Sequence, residues 1–63
     1  MSKLTRRERE VAEKLASGKR QSFIANELVI SRRTVYNHVR SIREKIGASS
    51  AFEAAVKLAI SEK

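Results

Sequence analysis

A chain of 63 residues with a formal charge of +7, no cysteine and no proline is read as a single domain, residues 1–63, with one small core near the lower size limit for folding alone. The missing cysteines exclude a disulfide framework and a thiolate metal site, and they suit a reducing compartment. Met1, Ser2 and Lys3 lead into a charged segment without an apolar signal region, and no apolar run approaches bilayer length, so the expectation is a cytoplasmic protein with no membrane association.

Four helices can be placed by their ends and periodicity. Thr5-Arg6-Arg7-Glu8 has the pattern of a capping box, Leu4, Val11 and Leu15 recur on one face, and Gly18 stands where a left-handed stop belongs; these predict a first helix over 6–17. Glu8 falls inside the apolar sector of that helix, which predicts that it accepts from the Thr5 backbone N–H and pairs with a cation elsewhere. A second helix over 21–28 turns Ile24, Ala25 and Leu28 inward. Val29-Ile30-Ser31 links it to a third over 32–46, with Ile30 in the core and Ser31 as N-cap. The third helix has a seam of Val35, Val39, Ile42 and Ile46, closed by Lys45 and Gly47. Ser50-Ala51-Phe52-Glu53 reads as a second capping box opening a fourth helix over 50–60. The expected fold is all-α and tetrahelical with no wing, and two short helices joined by a three-residue link form a helix-turn-helix.

The charge is unevenly spread. Residues 1–31 carry seven Lys/Arg against four Glu, residues 32–46 carry five against one, and residues 47–63 carry two against two. The excess therefore peaks on the third helix, the one that a helix-turn-helix places in the DNA major groove. Neutralising phosphates releases counterions, so a basic domain favours a polyanionic partner.

With the apolar seam turned inward, a 3.6-residue period puts Arg33, Asn37, Arg40 and Glu44 on the opposite side of the third helix. Tyr36 and Arg43 fall on one flank; Thr34, His38 and Lys45 fall on the other. Arg33, Tyr36, Asn37 and Arg40 then form one patch. Arg can bond guanine O6 and N7 together, Asn can do the same with adenine N6 and N7, and Tyr can touch a thymine methyl or donate to phosphate. The competing reading is the solvated face of an amphipathic helix. Other chemistry is thin: His38 is the only histidine and no aspartate is present. A metal site or a catalytic triad therefore lacks its ligands or its orienting group. His38 fits better at the core boundary, donating to backbone or to a DNA phosphate, and no cofactor or enzymatic activity is expected.

Leu4-Thr5-Arg6-Arg7-Glu8-Arg9-Glu10-Val11, Ile24-Ala25 with Leu28, Ile30-Ser31-Arg32-Arg33-Thr34-Val35 with His38, and Lys45-Ile46-Gly47 together resemble the LuxR-type (GerE, NarL, FixJ) DNA-binding domain over nearly the whole chain. The resemblance implies a bacterial transcription regulator that binds double-stranded promoter DNA, commonly as a dimer on inverted half-sites through its fourth helix, with RNA polymerase as a further partner. It implies base reading by Tyr36, Asn37 and Arg40. Phosphate contacts would come from Gln21, Ser22, Arg32, Arg33 and Thr34, with Lys19 and Arg20 as basic neighbours and His38 and Arg43 on the flanks. The chain departs from the family pattern where Arg20 replaces the usual Ser or Thr cap of the second helix, where Phe23 replaces a polar residue, and where Ala51-Phe52 replaces Arg-Thr. Tyr36 is also unusual at its position.

The fourth helix has two apolar stripes. Phe52, Ala55, Val56, Ala59 and Ile60 are read as the core-facing one, leaving Ala51, Ala54 and Leu58 as a surplus that serves either broader burial or a dimer contact. A weak homodimer, stabilised on DNA, is the expectation. Two alternatives stand beside a DNA-binding regulator. One is a promoter-binding module like region 4 of a sigma factor, against which the fourth helix argues; the other is a basic protein-interaction module that binds an acidic partner.

Overall fold

A computed structural model describes residues 4–61, Ser61 by its backbone alone. Residues 1–3, which the sequence reading took to lack a signal region, and residues 62 and 63 lie outside the described residues. Helices α1 (Arg6–Ala16), α2 (Gln21–Leu28), α3 (Arg32–Ile46) and α4 (Ala51–Ser61) make up the described fold, which contains no strand. α1 stops one residue before the expected end, and α4 spans one residue later at both ends. No helix among the described residues is long and apolar enough to cross a membrane.

Local chemistry sets the boundaries. The Thr5 hydroxyl accepts the Glu8 amide at 3.1 Å and the Glu8 carboxylate accepts the Thr5 amide at 2.9 Å, a complete reciprocal cap. Ser31 caps α3 by accepting the Thr34 amide at 3.0 Å. The Ser50 hydroxyl likewise accepts the Glu53 amide at 3.0 Å, but the expected second box is incomplete, because Glu53 turns to the Ser49 amide and hydroxyl, both at 2.6 Å. Those bonds hold the Glu53 carboxyl below its ordinary range, the Ser49 hydroxyl bond first.

α1, α2 and α3 end with the same device: a left-handed residue lets the amide after it reach back to a carbonyl in the last turn. The bonds are Lys19 N–H to Lys14 O at 3.2 Å, Ile30 N–H to Ala25 O at 3.0 Å and Ala48 N–H to Arg43 O at 2.9 Å. Gly18 (φ +87°) and Gly47 (φ +71°) occupy two of the left-handed positions, but Val29 (φ 56°) occupies the third, and its side chain is 88% exposed. A β-branched residue in this region is strained by roughly 1–2 kcal/mol, and here almost no burial offsets that. Val29→Gly is therefore expected to stabilise the domain by about 1 kcal/mol after the extra chain entropy of glycine is subtracted. Parallel urea titrations check this; a lower midpoint for the variant would contradict it.

α3 packs against each of the other three helices, and α1 also packs on α4 and α2. The centre holds Val11 of α1, Ile24 of α2, Val35 and Ile42 of α3 and Leu58 of α4, all fully buried. With its Val35, Val39 and Ile42 seam consumed by three neighbours, α3 keeps only its opposite face for other use. Among the described residues the one buried charged residue is Glu8, 6% exposed. It accepts from Lys45 Nζ at 2.7 Å and Ser41 Oγ at 2.6 Å, which ties the first turn of α1 to the last two turns of α3.

α4 reverses the expected orientation. Ala54 and Leu58 are fully buried and Ala51 and Ala55 lie partly buried against the core, whereas Phe52 (79%), Val56 (41%) and Ile60 (66%) face outward with Ala59. Both stripes have helical spacing and apolar chemistry, so periodicity alone does not choose between them. Small side chains do: Ala51, Ala54 and Ala55 let the α4 backbone approach α1 and α3, where Ala12 is also buried, and Phe52 would hold it off. Ala54 and Leu58 thus belong to the core, and the reading of Ala51, Ala54 and Leu58 as a dimer surface is corrected.

Candidate nucleic-acid interface

The outward face of α3 carries Arg33, Tyr36, Asn37 and Arg40, all exposed, on the side opposite Val35, Val39 and Ile42. The buried seam and the exposed patch fix each other, since turning α3 to hide Asn37 would expose Val39 or Val35. Arg40 Nε lies 3.7 Å from Glu44 Oε2 with both side chains about two-thirds exposed or more. Such a pair is worth little in water and leaves the guanidinium ready to exchange partners. Tyr36 stands half exposed beside the patch.

Arg32 and Arg33, both exposed, occupy the first turn of α3, next to the Ser31 cap. Thr34 is half-buried, and its hydroxyl shares a 2.8 Å hydrogen bond with that of Ser31, so part of its polar capacity goes to the cap itself. His38 is half-buried on the flank of α3, at the core boundary as expected. Arg43 departs from its expected role. Its Nη2 donates to the Ser49 carbonyl at 2.7 Å and its Nε is buried, so the guanidinium braces the link between α3 and α4 and does not extend toward a phosphate.

At the start of α2, Arg20 sits at the N-cap without a side-chain cap hydrogen bond, as its chemistry dictates: a guanidinium has no acceptor to offer a backbone amide. Lys19, Arg20 and Ser22 are exposed and Gln21 is half-buried. The Lys19 ammonium lies over the Phe23 ring, 5.1 Å from its centroid.

The first turns of the four helices differ in their acidic residues. α1 carries Glu8 and α4 carries Glu53 in the first turn, the arrangement that favours a helix dipole; α2 and α3 carry no acid there, and α1 and α3 both open with two arginines, Arg6-Arg7 and Arg32-Arg33.

The family model described as bacterial regulatory proteins, luxR family, matches residues 2–59. The chain belongs to the LuxR family. Over 55 residues, 87% of this chain, it is 46% identical to the spore germination protein GerE of Bacillus subtilis (strain 168), of which it covers 74%. Over the same length it is 47% identical to the transcriptional regulatory protein UhpA of Escherichia coli (strain K12) and to that of Salmonella typhimurium (strain LT2), but it covers only 28% of either. No solved structure matches it. LuxR-family membership makes this four-helix chain a DNA-binding helix-turn-helix domain of the transcription-regulator type.

Of the residues singled out in the sequence, α3 brings Arg33, Tyr36, Asn37 and Arg40 to its exposed side with Arg32 exposed in its first turn, and Lys19, Arg20 and Ser22 gather at the exposed start of α2. Sequence reasoning missed Phe23 as a neighbour of Lys19. The available signal was their four-residue separation across a helix start. It also left the cation partner of Glu8 unnamed, because a contact across 37 positions depends on how α1 crosses α3.

Proposed function

We propose that this LuxR-family domain binds double-stranded promoter DNA sequence-specifically, with α3 in the major groove. Arg40 and Asn37 read base edges there, and Tyr36 contacts a thymine methyl or a phosphate. Arg32, Arg33, Lys19, Arg20, Gln21 and Ser22 hold the phosphates on either side. The observation that carries this reading is the Arg33, Tyr36, Asn37 and Arg40 face, exposed opposite a fully consumed core seam. The regulatory role, with RNA polymerase as a downstream partner, is part of the same proposal.

Arg40→Ala is expected to lose roughly 1–3 kcal/mol at a preferred site and to flatten preference at one or two base positions. Arg33→Ala should instead weaken all duplexes alike and reduce the log-log salt slope by about one unit. Titrations of both variants on a preferred and a scrambled duplex check this. A sequence-independent loss for Arg40→Ala, or an unchanged slope for Arg33→Ala, would count against the assigned roles.

Ser31 tests which way the start of α3 faces. Ser31→Ala should cost about 1 kcal/mol of stability by removing the acceptor for the Thr34 amide, whereas Ser31→Asp restores an acceptor and suits the helix dipole. The carboxylate should repel a phosphate at the same spot, so Ser31→Asp is expected to be stable yet weak in DNA binding. Full affinity in Ser31→Asp would turn this end of α3 away from the backbone.

Two copies are proposed to pair on DNA through the outward stripe of α4, Phe52, Val56 and Ile60. An 11-residue helix is only about 16 Å long, too short to supply alone the roughly 1,000 Å² or more of a stable interface. Adjacent half-sites raise the effective concentration and supply the missing organisation.

A further inference from the structure

Resting on the DNA-binding reading above, we propose that Phe23 is a positioning residue of the interface: its ring holds the Lys19 ammonium at the start of α2, so that the cation meets the duplex backbone already oriented. Lys19 Nζ stands 5.1 Å from the ring centroid, inside the range over which a ring face attracts a cation. Both backbones are fixed. The Lys19 amide closes the last turn of α1 by donating to the Lys14 carbonyl at 3.2 Å, and Phe23 lies in the first turn of α2 immediately before the fully buried Ile24. Only the lysine stem remains to be ordered, and a long flexible stem loses substantial rotamer freedom when it closes on a phosphate. The ring has already removed part of that freedom. An ammonium resting on a ring still has N–H donors to offer on its other side, so ring and phosphate can hold it together. This gives a role to a phenylalanine that is 42% exposed and directly follows the polar run Lys19-Arg20-Gln21-Ser22.

The test is a double-mutant cycle on the full chain, measured on a preferred duplex and on a scrambled duplex of the same length. Phe23→Leu keeps apolar bulk but loses the ring quadrupole, and it is expected to weaken both duplexes equally by about two- to five-fold. The melting temperature and the salt slope should stay unchanged, because the cation is still present. Phe23→Tyr should restore affinity. In a Lys19→Ala background Phe23→Leu should have no further effect. Independent effects of the two substitutions, or wild-type affinity in Phe23→Leu, would overturn the proposal while leaving the DNA-binding reading in place. A wild-type chain that binds neither duplex would overturn that reading, and this inference with it.

Discussion

Leu58→Glu is expected to unfold the domain. The side chain is fully buried between α4 and the helices it packs on, so a carboxylate placed there is taken out of water into an apolar core. Burying an unpaired charge or a poorly satisfied polar group costs more than about 4 kcal/mol in severe cases. At roughly 0.05–0.15 kcal/mol per residue, a domain of this length has about 3–9 kcal/mol in total. Ile60→Glu introduces the same charge two residues later, on the outward stripe where the side chain is 66% exposed. It should leave the helical content and melting temperature nearly unchanged. Across a self-symmetric contact the new carboxylate meets its own copy, so Ile60→Glu should bind a single half-site normally and lose cooperativity on paired half-sites. Circular dichroism melts and titrations on both duplexes separate the outcomes. A folded Leu58→Glu would contradict the orientation of α4, and intact cooperativity in Ile60→Glu would remove this stripe from the dimer contact.

Glu8→Ala is expected to cost about 2–4 kcal/mol, because it deprives the Thr5 amide, the Ser41 hydroxyl and the Lys45 ammonium of a shared acceptor. Lys45 is about one-third exposed and can turn to water, which keeps the loss below that of a fully enclosed pair. Glu8→Gln retains an acceptor for Thr5 and Ser41 and should cost about 1 kcal/mol. The two differ most clearly from the native chain in pH dependence. The Lys45 hydrogen bond, followed by those of Ser41 and Thr5, holds the Glu8 carboxyl near a pKa of about 2 against an ordinary 4.5, despite the opposing effect of burial. Between those values the unfolded chain binds the proton more readily than the folded one, so this group's stabilisation is complete above about pH 4.5 and is lost as pH falls toward 2. The stability difference between the native chain and Glu8→Gln, from denaturant titrations, should shrink steadily across that window. A constant difference would mean that the carboxylate charge contributes nothing to the tie between α1 and α3.

Features of this molecule governed by a few neighbouring residues were legible in the sequence. The caps at Thr5 and Ser31, the stops at Gly18 and Gly47 and the exposed side of α3 depend on contacts within one or two turns, and each emerges as expected. The inward turn of Glu8 followed from its position in an apolar sector, but Lys45 and Ser41 as its partners required the crossing of α1 and α3. Arg43 lies beside Tyr36 on a helical wheel, yet the link after Gly47 brings the Ser49 carbonyl within its reach and draws it from the surface. α4 was misread because two apolar stripes competed, and the choice depended on how closely backbones approach. Val29 gave no local sign of its left-handed backbone. The need to reverse the chain between α2 and α3 while burying part of Ile30 overrides the preference of a β-branched residue.

In the proposed function, the exposed face of α3 reads sequence in double-stranded DNA. Selection of bound sites from a pool of random duplexes tests it most directly, performed with the native chain and in parallel with Arg40→Ala. The native chain should enrich a defined half-site, recovered as an inverted repeat where two copies bind together, and Arg40→Ala should lose the preference at one or two positions of that half-site. A pool left random by the native chain, or an identical motif recovered by Arg40→Ala, would contradict the account.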